Sequence, residues 1–298
     1  MPSVSVIVLT YKRPDELDGV LENVFRLDPA PEEILVYDDD PQGSARAAKL
    51  LDNPAVRYIV AEQNAGPAGA RNRAAAFAAG DILFFIDDDC RLESTDAVAT
   101  LRELFSADDM GCVATLIRNA FTGEIVPKEF PGYDVSRWEE PHEVSYFLAG
   151  GFAIRRALFL ALGGFDPLLY HGEEEVELSF RILHAGCRMY YTPQIVVTHR
   201  ESPKGRETIH RAYRLVRNRI YLAVKHMPFP YLFSHLFLWS GFAFLQALRG
   251  REVGEFFRGL RSVWQDNLWA SARAYRRAHP MRRETVRYLR EHEGRLWY

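Results

Sequence analysis

Cysteine is scarce in this 298-residue sequence, and no segment typical of an exported protein precedes its first apolar run. Only Cys90, Cys112 and Cys187 occur, and this odd, widely spaced set argues against a disulfide framework and a CxxC-type metal site. No basic segment or cleavage site precedes Val4–Leu9, so we expect no secretory signal. The expected location is the cytoplasm, either free or at the inner face of the cell membrane.

Other absences narrow the class of protein. The composition, with 48% hydrophobic and 26% charged residues, lacks the bias of disordered or collagen-like chains. The glycines form no GxGxxG pattern, so a dinucleotide-binding fingerprint is not supported, and no internal repeat occurs. The length fits one large domain or two closely joined ones, and we expect a division into residues 1–205 and 206–298.

The net charge of −3 conceals two regions of opposite charge. Residues 200–298 contain 20 Lys and Arg against 8 Asp and Glu, a net charge of +12, and residues 1–199 carry the balance of −15. An acidic body with a basic tail indicates two roles, or one role beside an anionic surface. Nucleic acid is not an expected partner, because the basic region contains no recognisable nucleic-acid-binding module.

Strand and helix patterns alternate in the N-terminal region. Apolar runs of strand type occur at Val4–Leu9, Ile34–Tyr37, Val56–Val60 and Ile82–Ile86, with helical spacing between several of them. The pattern predicts an α/β fold, a doubly wound and mostly parallel sheet with helices on both faces, followed by a helical region from residue 206. Ligands of such sheets bind beyond the carboxyl ends of the strands.

Two aspartate triplets follow predicted strands, so we expect both at the same edge of the sheet. The triplet Asp87–Asp89 brings three like charges together, which a hard divalent cation such as Mg²⁺ or Mn²⁺ would offset. The triplet Asp38–Asp40 offers one carboxylate for a nucleobase N–H and another for a ribose hydroxyl. For each triplet the alternative is a solvated turn held by the aspartate side chains.

Three further features carry polar groups suited to chemistry. Arg71, in the first turns of a predicted helix, is suited to hold a carboxylate or a phosphate. The acidic segment Glu173–Glu177 opens a helix, where the dipole stabilises carboxylates and where one of them could serve as a general base. His199 ends a β-branched run and would complete a metal shell if that strand end faces the aspartates; a structural role is the alternative.

Taken in chain order, these elements resemble the family 2 glycosyltransferases, which have a GT-A fold. The resemblance includes the opening strand and turn, the strand that ends in aspartates, a helix start, a DxD-type element, acceptor-side glycines and a Glu-Asp-type motif. The matching segments are Val4–Pro14, Glu33–Asp39, Asn64–Gly66, Ala70–Asn72, Phe85–Asp89, Gly150–Gly151, Gly163–Asp166 and Glu174–Arg181. From the first segment to the last, they span most of the predicted first domain.

The resemblance implies a nucleotide diphosphate sugar as the donor, linked to UDP, dTDP or GDP. Its base would lie near Thr10, Arg13 and Asp38, and its ribose near Asp87. The residues expected to bind this donor are Thr10, Tyr11, Arg13, Asp38, Asp39, Arg71, Asp87, Asp88 and Gly151.

The resemblance also implies a metal ion and a catalytic base. Asp89, together with His199, would hold Mg²⁺ or Mn²⁺ at the leaving diphosphate. The family's base is usually an aspartate, and here Glu175 occupies its position. The extra methylene shifts the carboxylate by about one carbon–carbon bond, and misplacement of that order can cost about 10²-fold in rate. Glu174 and Glu177 are the alternative bases.

Three functions follow from these features. The first is an inverting, metal-dependent hexosyl- or deoxyhexosyltransferase that acts on a saccharide or lipid-linked acceptor in surface polysaccharide or glycolipid synthesis. The second is a nucleotide-sugar-binding protein without turnover, suggested by glutamate at the base position. The third is a metal-dependent nucleotidyltransferase, although the N-terminal region lacks a glycine-rich, lysine-bearing phosphate loop.

The segment Met227–Leu248 has 22 residues without Asp, Glu, Lys or Arg and is rich in Phe and Leu. A membrane span needs roughly 20 apolar residues, but Pro228, Pro230 and several polar residues weaken this one. We expect a buried hairpin, or a helix in the plane of a bilayer that gives peripheral membrane contact through residues 206–251. A homodimer interface or a helical cap over the acceptor site is the equal alternative.

Overall fold

The computed structural model describes residues 1–200, 210–229, 231–294 and 296. Within this part of the chain, nine strands form one sheet. The strands are β1 (Val4–Thr10), β2 (Glu33–Asp38), β3 (Val56–Val60), β4 (Ile82–Asp87), β5 (Cys90–Leu92), β6 (Met110–Asn119), β7 (His142–Glu143), β8 (Gly151–Arg155) and β9 (Arg188–His199). Their order is β3-β2-β1-β4-β8-β6-β9-β5, and β7 pairs with β9 beside this path.

Five α-helices lie between the strands, and five more follow the sheet in the described C-terminal residues. The first group is α1 (Pro14–Val24), α2 (Gly66–Phe77), α3 (Ala97–Leu104), α4 (Arg156–Ala161) and α5 (Glu174–His184). The second group is α6 (Arg211–His226), α7 (Tyr231–Arg249), α8 (Val253–Gln265), α9 (Leu268–Ala278) and α10 (Arg283–Glu291).

Helices cover both faces of the sheet, because each face presents a run of buried apolar side chains. Val6 and Val8 of β1 belong to one hydrophobic cluster with Leu17 of α1 and Leu101 of α3. Phe85 of β4 belongs to a second cluster with residues of α2, α5 and α6. Parallel pairing accounts for most of the paired positions. The predicted doubly wound, mostly parallel fold with a helical C-terminal region is therefore confirmed.

In the parallel half of the sheet, the carboxyl ends of β1, β2 and β4 lie side by side at one edge. Thr10 at the end of β1 pairs with Asp38 at the end of β2. On the other side of β1, Leu9 pairs with Asp87 at the end of β4. Because β1 lies between β2 and β4, the two aspartate triplets follow strands on either side of Thr10. This is the sheet edge at which a doubly wound fold binds its ligands.

The half of the sheet with mixed strand directions places His199 near the triplet Asp87–Asp89. β9 runs parallel to β6 and continues past a register shift between Thr115 and Leu116. Its last residues pair with β5, where Cys90 lies opposite His199. Since β5 begins directly after the triplet Asp87–Asp89, this pairing places His199 beside the triplet.

The C-terminal helices pack into the same hydrophobic core as α5. Val216 of α6 and Ala243 of α7 belong to the cluster that contains Phe180 of α5. The division into residues 1–205 and 206–298 stays a prediction.

Among the described helices, α7 is the one whose length and apolar composition are sufficient to cross a membrane. Only 28% of its most apolar 18-residue stretch is buried. Along the buried side it contacts α6 and α8. Pro230 and residues 206–209, which belong to the predicted membrane-contact segment, lie outside the described residues.

Candidate active site

The turn after β1 holds the second and third aspartates of the triplet Asp87–Asp89. Thr10 Oγ1 donates a hydrogen bond to Asp88 Oδ2 at 2.8 Å. Arg13 Nη1 lies 2.8 Å from Asp88 Oδ1 and 2.9 Å from Asp89 Oδ2. Burial raises the pKa of Asp88 to about 7, although the Arg13 charge opposes this shift. The positive charge of Arg13 therefore stabilises the ionised form of these buried carboxylates.

The first aspartate of this triplet is held from α2. Arg71 Nη2 donates to Asp87 Oδ1 at 2.6 Å, and the Arg71 side chain is 2% exposed. Burial alone would lower the pKa of Arg71, but Asp87, Glu174 and Glu175 raise it. Nε and Nη1 of Arg71 are buried and have no hydrogen-bond partner among the described residues. Arg71 thus lies between the aspartates and the start of α5, with two nitrogens whose N–H groups have no protein acceptor among the described residues.

Asp89 and His199 form the pair best suited to a metal ion. His199 Nε2 lies 3.6 Å from Asp89 Oδ1, and His199 Nδ1 donates to Glu129 Oε1 at 2.8 Å. Burial alone would lower the pKa of His199, but Asp89 and Glu129 raise it to about 10. A carboxylate and an imidazole whose second nitrogen is fixed by another carboxylate match the donor set of protein metal sites.

The thiol of Cys90 also lies within 4.8 Å of the ligand atoms of Asp89 and His199. Burial and the neighbouring aspartates raise the pKa of Cys90 well above its usual value. Without a metal the thiol favours its protonated form, and sulfur is a softer ligand than a hard cation prefers. The residues present fit Mn²⁺ through Asp89 and His199, provided that the ion displaces the proton on His199 Nε2; Mg²⁺, which prefers oxygen ligands, would depend more on Asp89.

The triplet Asp38–Asp40 has a different environment. Asp38 is fully buried, and its Oδ2 accepts from Ala45 N at 3.0 Å and from Tyr58 OH at 2.7 Å. Its Oδ1 accepts from Asp40 N at 3.0 Å. These bonds close the turn after β2, so both Asp38 oxygens already have protein partners.

Asp39 binds the start of α2. Its carboxylate accepts from Ala65 N at 3.0 Å and from Gly66 N at 2.9 Å. Gly66 has φ +69°, and a Cβ there would lie 2.3 Å from the Tyr170 ring, so glycine is required by conformation and by space. Burial raises the pKa of Asp39 to about 6. The predicted helix start at Asn64–Gly66 thus supplies amides to an aspartate.

Two carboxylates at the start of α5 remain as candidate bases. Glu174 is 2% exposed, and its Oε2 has no hydrogen-bond partner among the described residues. Burial and the adjacent Glu175 raise the pKa of Glu174 well above its usual value. Glu175 is only half-buried. The two neighbours therefore differ in burial, and the buried Glu174 favours its protonated form.

Glu177, the third candidate, lies in a sealed ionic cluster. Its carboxylate is 2.6 Å from Arg181 Nη2, 2.8 Å from Lys225 Nζ and 2.9 Å from His226 Nε2. The side chain is 0% exposed. Glu177 ties α5 to α6, and its oxygens are occupied by protein cations.

The structure also places the remaining predicted residues. A Cβ on Gly151 would lie 2.9 Å from both Thr115 Oγ1 and Val197 Cγ2, so this glycine permits the close packing of neighbouring strands. Tyr11 lies in the turn after β1, where Lys12 Nζ is 4.8 Å from its ring centroid. Glu129 was not predicted, because its polar surroundings show no periodicity that would place it beside His199.

An open sheet with acidic strand ends, a nearby arginine and a histidine defines the GT-A class of glycosyltransferase folds, and solved structures support this. GalNAc-T7 with UDP, GalNAc and Mn²⁺ is similar with a TM-score of 0.60 and 20% identity, covering 78% of this chain and 50% of that one. The mannosyltransferase PcManGT from Pyrobaculum calidifontis, in complex with GDP-Man and Mn²⁺, is similar with a TM-score of 0.59 and 22% identity. The match covers 96% of this chain and 85% of that one.

The sequence profile of glycosyl transferase family 2 matches residues 5–163, and the chain belongs to this family. The predicted family resemblance is thereby confirmed. N-acetylgalactosaminyltransferase 6 of Drosophila melanogaster is 27% identical over 277 residues, which cover 79% of this chain and 40% of that protein. The pre-mycofactocin glycosyltransferase of Mycobacterium tuberculosis is 27% identical over 199 residues, 64% of this chain and 40% of that protein. The chain thus spans less than half the length of these relatives.

Proposed function

We propose that the protein is an inverting glycosyltransferase that moves a sugar from a UDP-, dTDP- or GDP-linked donor to a hydroxyl of a saccharide or lipid-linked acceptor. Surface polysaccharide or glycolipid synthesis is the proposed setting. The observation that carries the proposal is the pairing of the triplet Asp87–Asp89 with the side-chain cations Arg71, Arg13 and His199. Such partners can rearrange when a cation and a diphosphate bind at this edge.

Asp89 and His199 are the residues that would hold the divalent cation, either Mn²⁺ or Mg²⁺. When bound, the ion would neutralise charge that develops on the leaving diphosphate. Glu129 fixes the ring of His199 through Nδ1. Arg71 keeps Asp87 in place, and its Nε and Nη1 would donate to the sugar donor. The turn at Tyr11–Arg13 closes the same edge from the side of β1.

Glu175 is the proposed base that removes the proton from the acceptor hydroxyl. A base must be ionised at working pH, and the raised pKa of Glu174 keeps that neighbour protonated. A protonated Glu174 donates a hydrogen bond instead of accepting a proton. The half-buried Glu175 is accessible to an acceptor, whereas Glu174 is 2% exposed.

Isosteric glutamine variants of these two neighbours test the assignment. Release of nucleoside diphosphate is measured from UDP-, dTDP- and GDP-hexoses with Mn²⁺ and a panel of simple saccharides. Glu175→Gln should lower kcat by about 10²- to 10⁴-fold, the usual contribution of a general base. The matched Glu174→Gln replaces a neutral acid by a neutral amide and should stay within about tenfold of the parent. Nucleotide affinity, measured by calorimetry, should be unchanged in both.

Two results would overturn the proposal. Undiminished transfer by Glu175→Gln would remove Glu175 as the base. Tight, metal-dependent nucleotide binding by the parent protein without release from any donor would instead indicate a nucleotide-sugar-binding protein without turnover.

A further inference from the structure

One side of α7 carries a row of exposed aromatic and aliphatic side chains. Phe237 is 81% exposed and Phe233 is 62% exposed. The opposite side of the helix is buried at His235, Ala243 and Ala247, which recur at helical spacing. The exposed members of the row are Phe233, Phe237, Leu238, Phe242, Leu245 and Leu248.

Ring contacts extend this row beyond α7. The ring of Phe229, 64% exposed, lies 5.2 Å from that of Phe233. The exposed Phe257 of α8 lies 6.4 Å from Phe244 of α7. We call the joined surface the α7 patch, defined as Phe229, Phe233, Phe237, Leu238, Phe242, Leu245, Leu248 and Phe257. A continuous apolar patch of this kind marks an interaction surface.

The surroundings of the α7 patch are basic. α7 itself contains no Asp or Glu; it ends at the exposed Arg249, and the exposed Arg251 follows. The Arg276 guanidinium lies 5.2 Å from the ring centroid of Phe229. The exposed Arg258 directly follows Phe257 and is ion-paired with Glu255 of the same helix. The sequence from residue 200 onward carries a net +12.

We propose that the α7 patch docks onto the surface of an anionic phospholipid bilayer, with α7 lying in the plane of the membrane. Aromatic side chains at the headgroup boundary and arginines at the patch border match the two components of such a surface, its apolar interior and its negative charge. Because α7 packs against α6 and α8 along its buried side, it lies on the bilayer rather than crossing it.

The charge around the α7 patch favours an anionic bilayer as its partner over a second copy of the chain. A symmetric dimer through the α7 patch would bring two regions of net +12 together, whereas an anionic bilayer offers charge of the opposite sign. The proposal does not rest on the proposed transfer activity, since lipid binding is measured without donor or acceptor.

Vesicle flotation with the full chain tests the proposal. The protein should float with phosphatidylcholine vesicles that contain phosphatidylglycerol, bind weakly to phosphatidylcholine alone, and lose affinity as salt is raised. Phe233→Ser combined with Phe237→Ser should weaken binding by about 100-fold, because each substitution removes the transfer energy of one phenylalanine. The matched control is Phe121→Ser, which changes a 76% exposed phenylalanine outside the patch and should bind as the parent does.

Melting temperature and circular dichroism of each variant verify that folding is intact, which the exposure of all three phenylalanines favours. Equal flotation of the double variant and the Phe121→Ser control would overturn the proposal. So would absent flotation of the parent together with a dimer in sedimentation that the double variant abolishes; that result would assign the α7 patch to a second copy.

Discussion

Two tripeptides of identical composition lie at the ends of the two strands that flank β1, yet the groups that bind them differ in kind. The triplet Asp38–Asp40 is bound chiefly by backbone amides, from Asp40 and Ala45 to Asp38 and from Ala65 and Gly66 to Asp39. The triplet Asp87–Asp89 is bound by the side chains of Arg71, Arg13 and His199.

We propose that the difference separates a structural use of aspartate from a chemical one. Backbone amides are fixed by the fold and carry no net charge, so the triplet Asp38–Asp40 holds its turns in place. Side-chain cations can shift to new rotamers and can be exchanged for a metal ion or a phosphate. We therefore infer the role of each aspartate from the group that binds it. Aspartates bound by side-chain cations are the candidates for chemistry, and aspartates bound by backbone amides are not.

Substitution of Asp89 should have the largest effect and is the strongest test of this distinction. Asp89→Asn removes the charged ligand beside His199, so transfer should fall by about 10³-fold, and nucleotide binding should lose its dependence on Mn²⁺. The control Asp40→Asn, whose Oδ1 accepts from Gln42 N at 3.2 Å, should keep both properties. Calorimetry with UDP, dTDP and GDP, with and without Mn²⁺, gives the readout. Persistent Mn²⁺ dependence in Asp89→Asn would locate the ion elsewhere.

Glu177 is a third case for this comparison. Side-chain cations bind it, as they bind Asp87–Asp89, but its side chain is fully buried and inaccessible to a ligand. Burial alone would raise the pKa of Glu177, yet His226, Arg181 and Lys225 lower it below its ordinary value. Its stabilising contribution is thus complete above the unfolded pKa of about 4.3 and declines as pH falls below that value.

Glu177→Gln should destabilise the fold by about 3 kcal/mol at neutral pH, since the buried cations Arg181 and Lys225 lose their counter-charge. The loss should shrink at about pH 3, where the unfolded glutamate is already protonated. Urea unfolding at the two pH values measures this, with the exposed Glu22→Gln of α1 as the control. A loss that grows on acidification would contradict the assignment.

Asp38 provides the smallest of the three effects and tests the amide-bound triplet. Asp38→Asn weakens hydrogen bonds from Ala45 N and Tyr58 OH, so the free energy of unfolding should fall by about 1.5 kcal/mol. The affinity for Mn²⁺ should be unchanged. If Mn²⁺ affinity falls while stability does not, Asp38 acts on the ion and the two triplets are not distinct.

The sequence was sufficient to predict the fold and the common edge of the two triplets. Apolar runs ending in aspartate define parallel strands, and the carboxyl ends of parallel strands meet at one edge. The helical C-terminal region was likewise evident from its periodicity. These features depend on local pattern and on a topology that restricts how strands and helices connect.

The partners of each carboxylate were not predictable, because they come from distant parts of the chain. Glu129 and His199 are 70 residues apart in the chain, and they meet only in the folded structure. The contrast between Glu174 and Glu175 depends on burial that adjacent letters in a sequence do not reveal. Phe237 resembles a core residue in the sequence, whereas the structure leaves it exposed.

The pairing of Cys90 with His199 between β5 and β9 has a consequence for assembly of the fold. Successive side chains of a strand point to opposite faces, so a slip of one residue would turn His199 away from Asp89. A metal ion held by Asp89 and His199 would therefore bind only the correct strand register. Such an ion would also stabilise the correctly paired sheet by mass action.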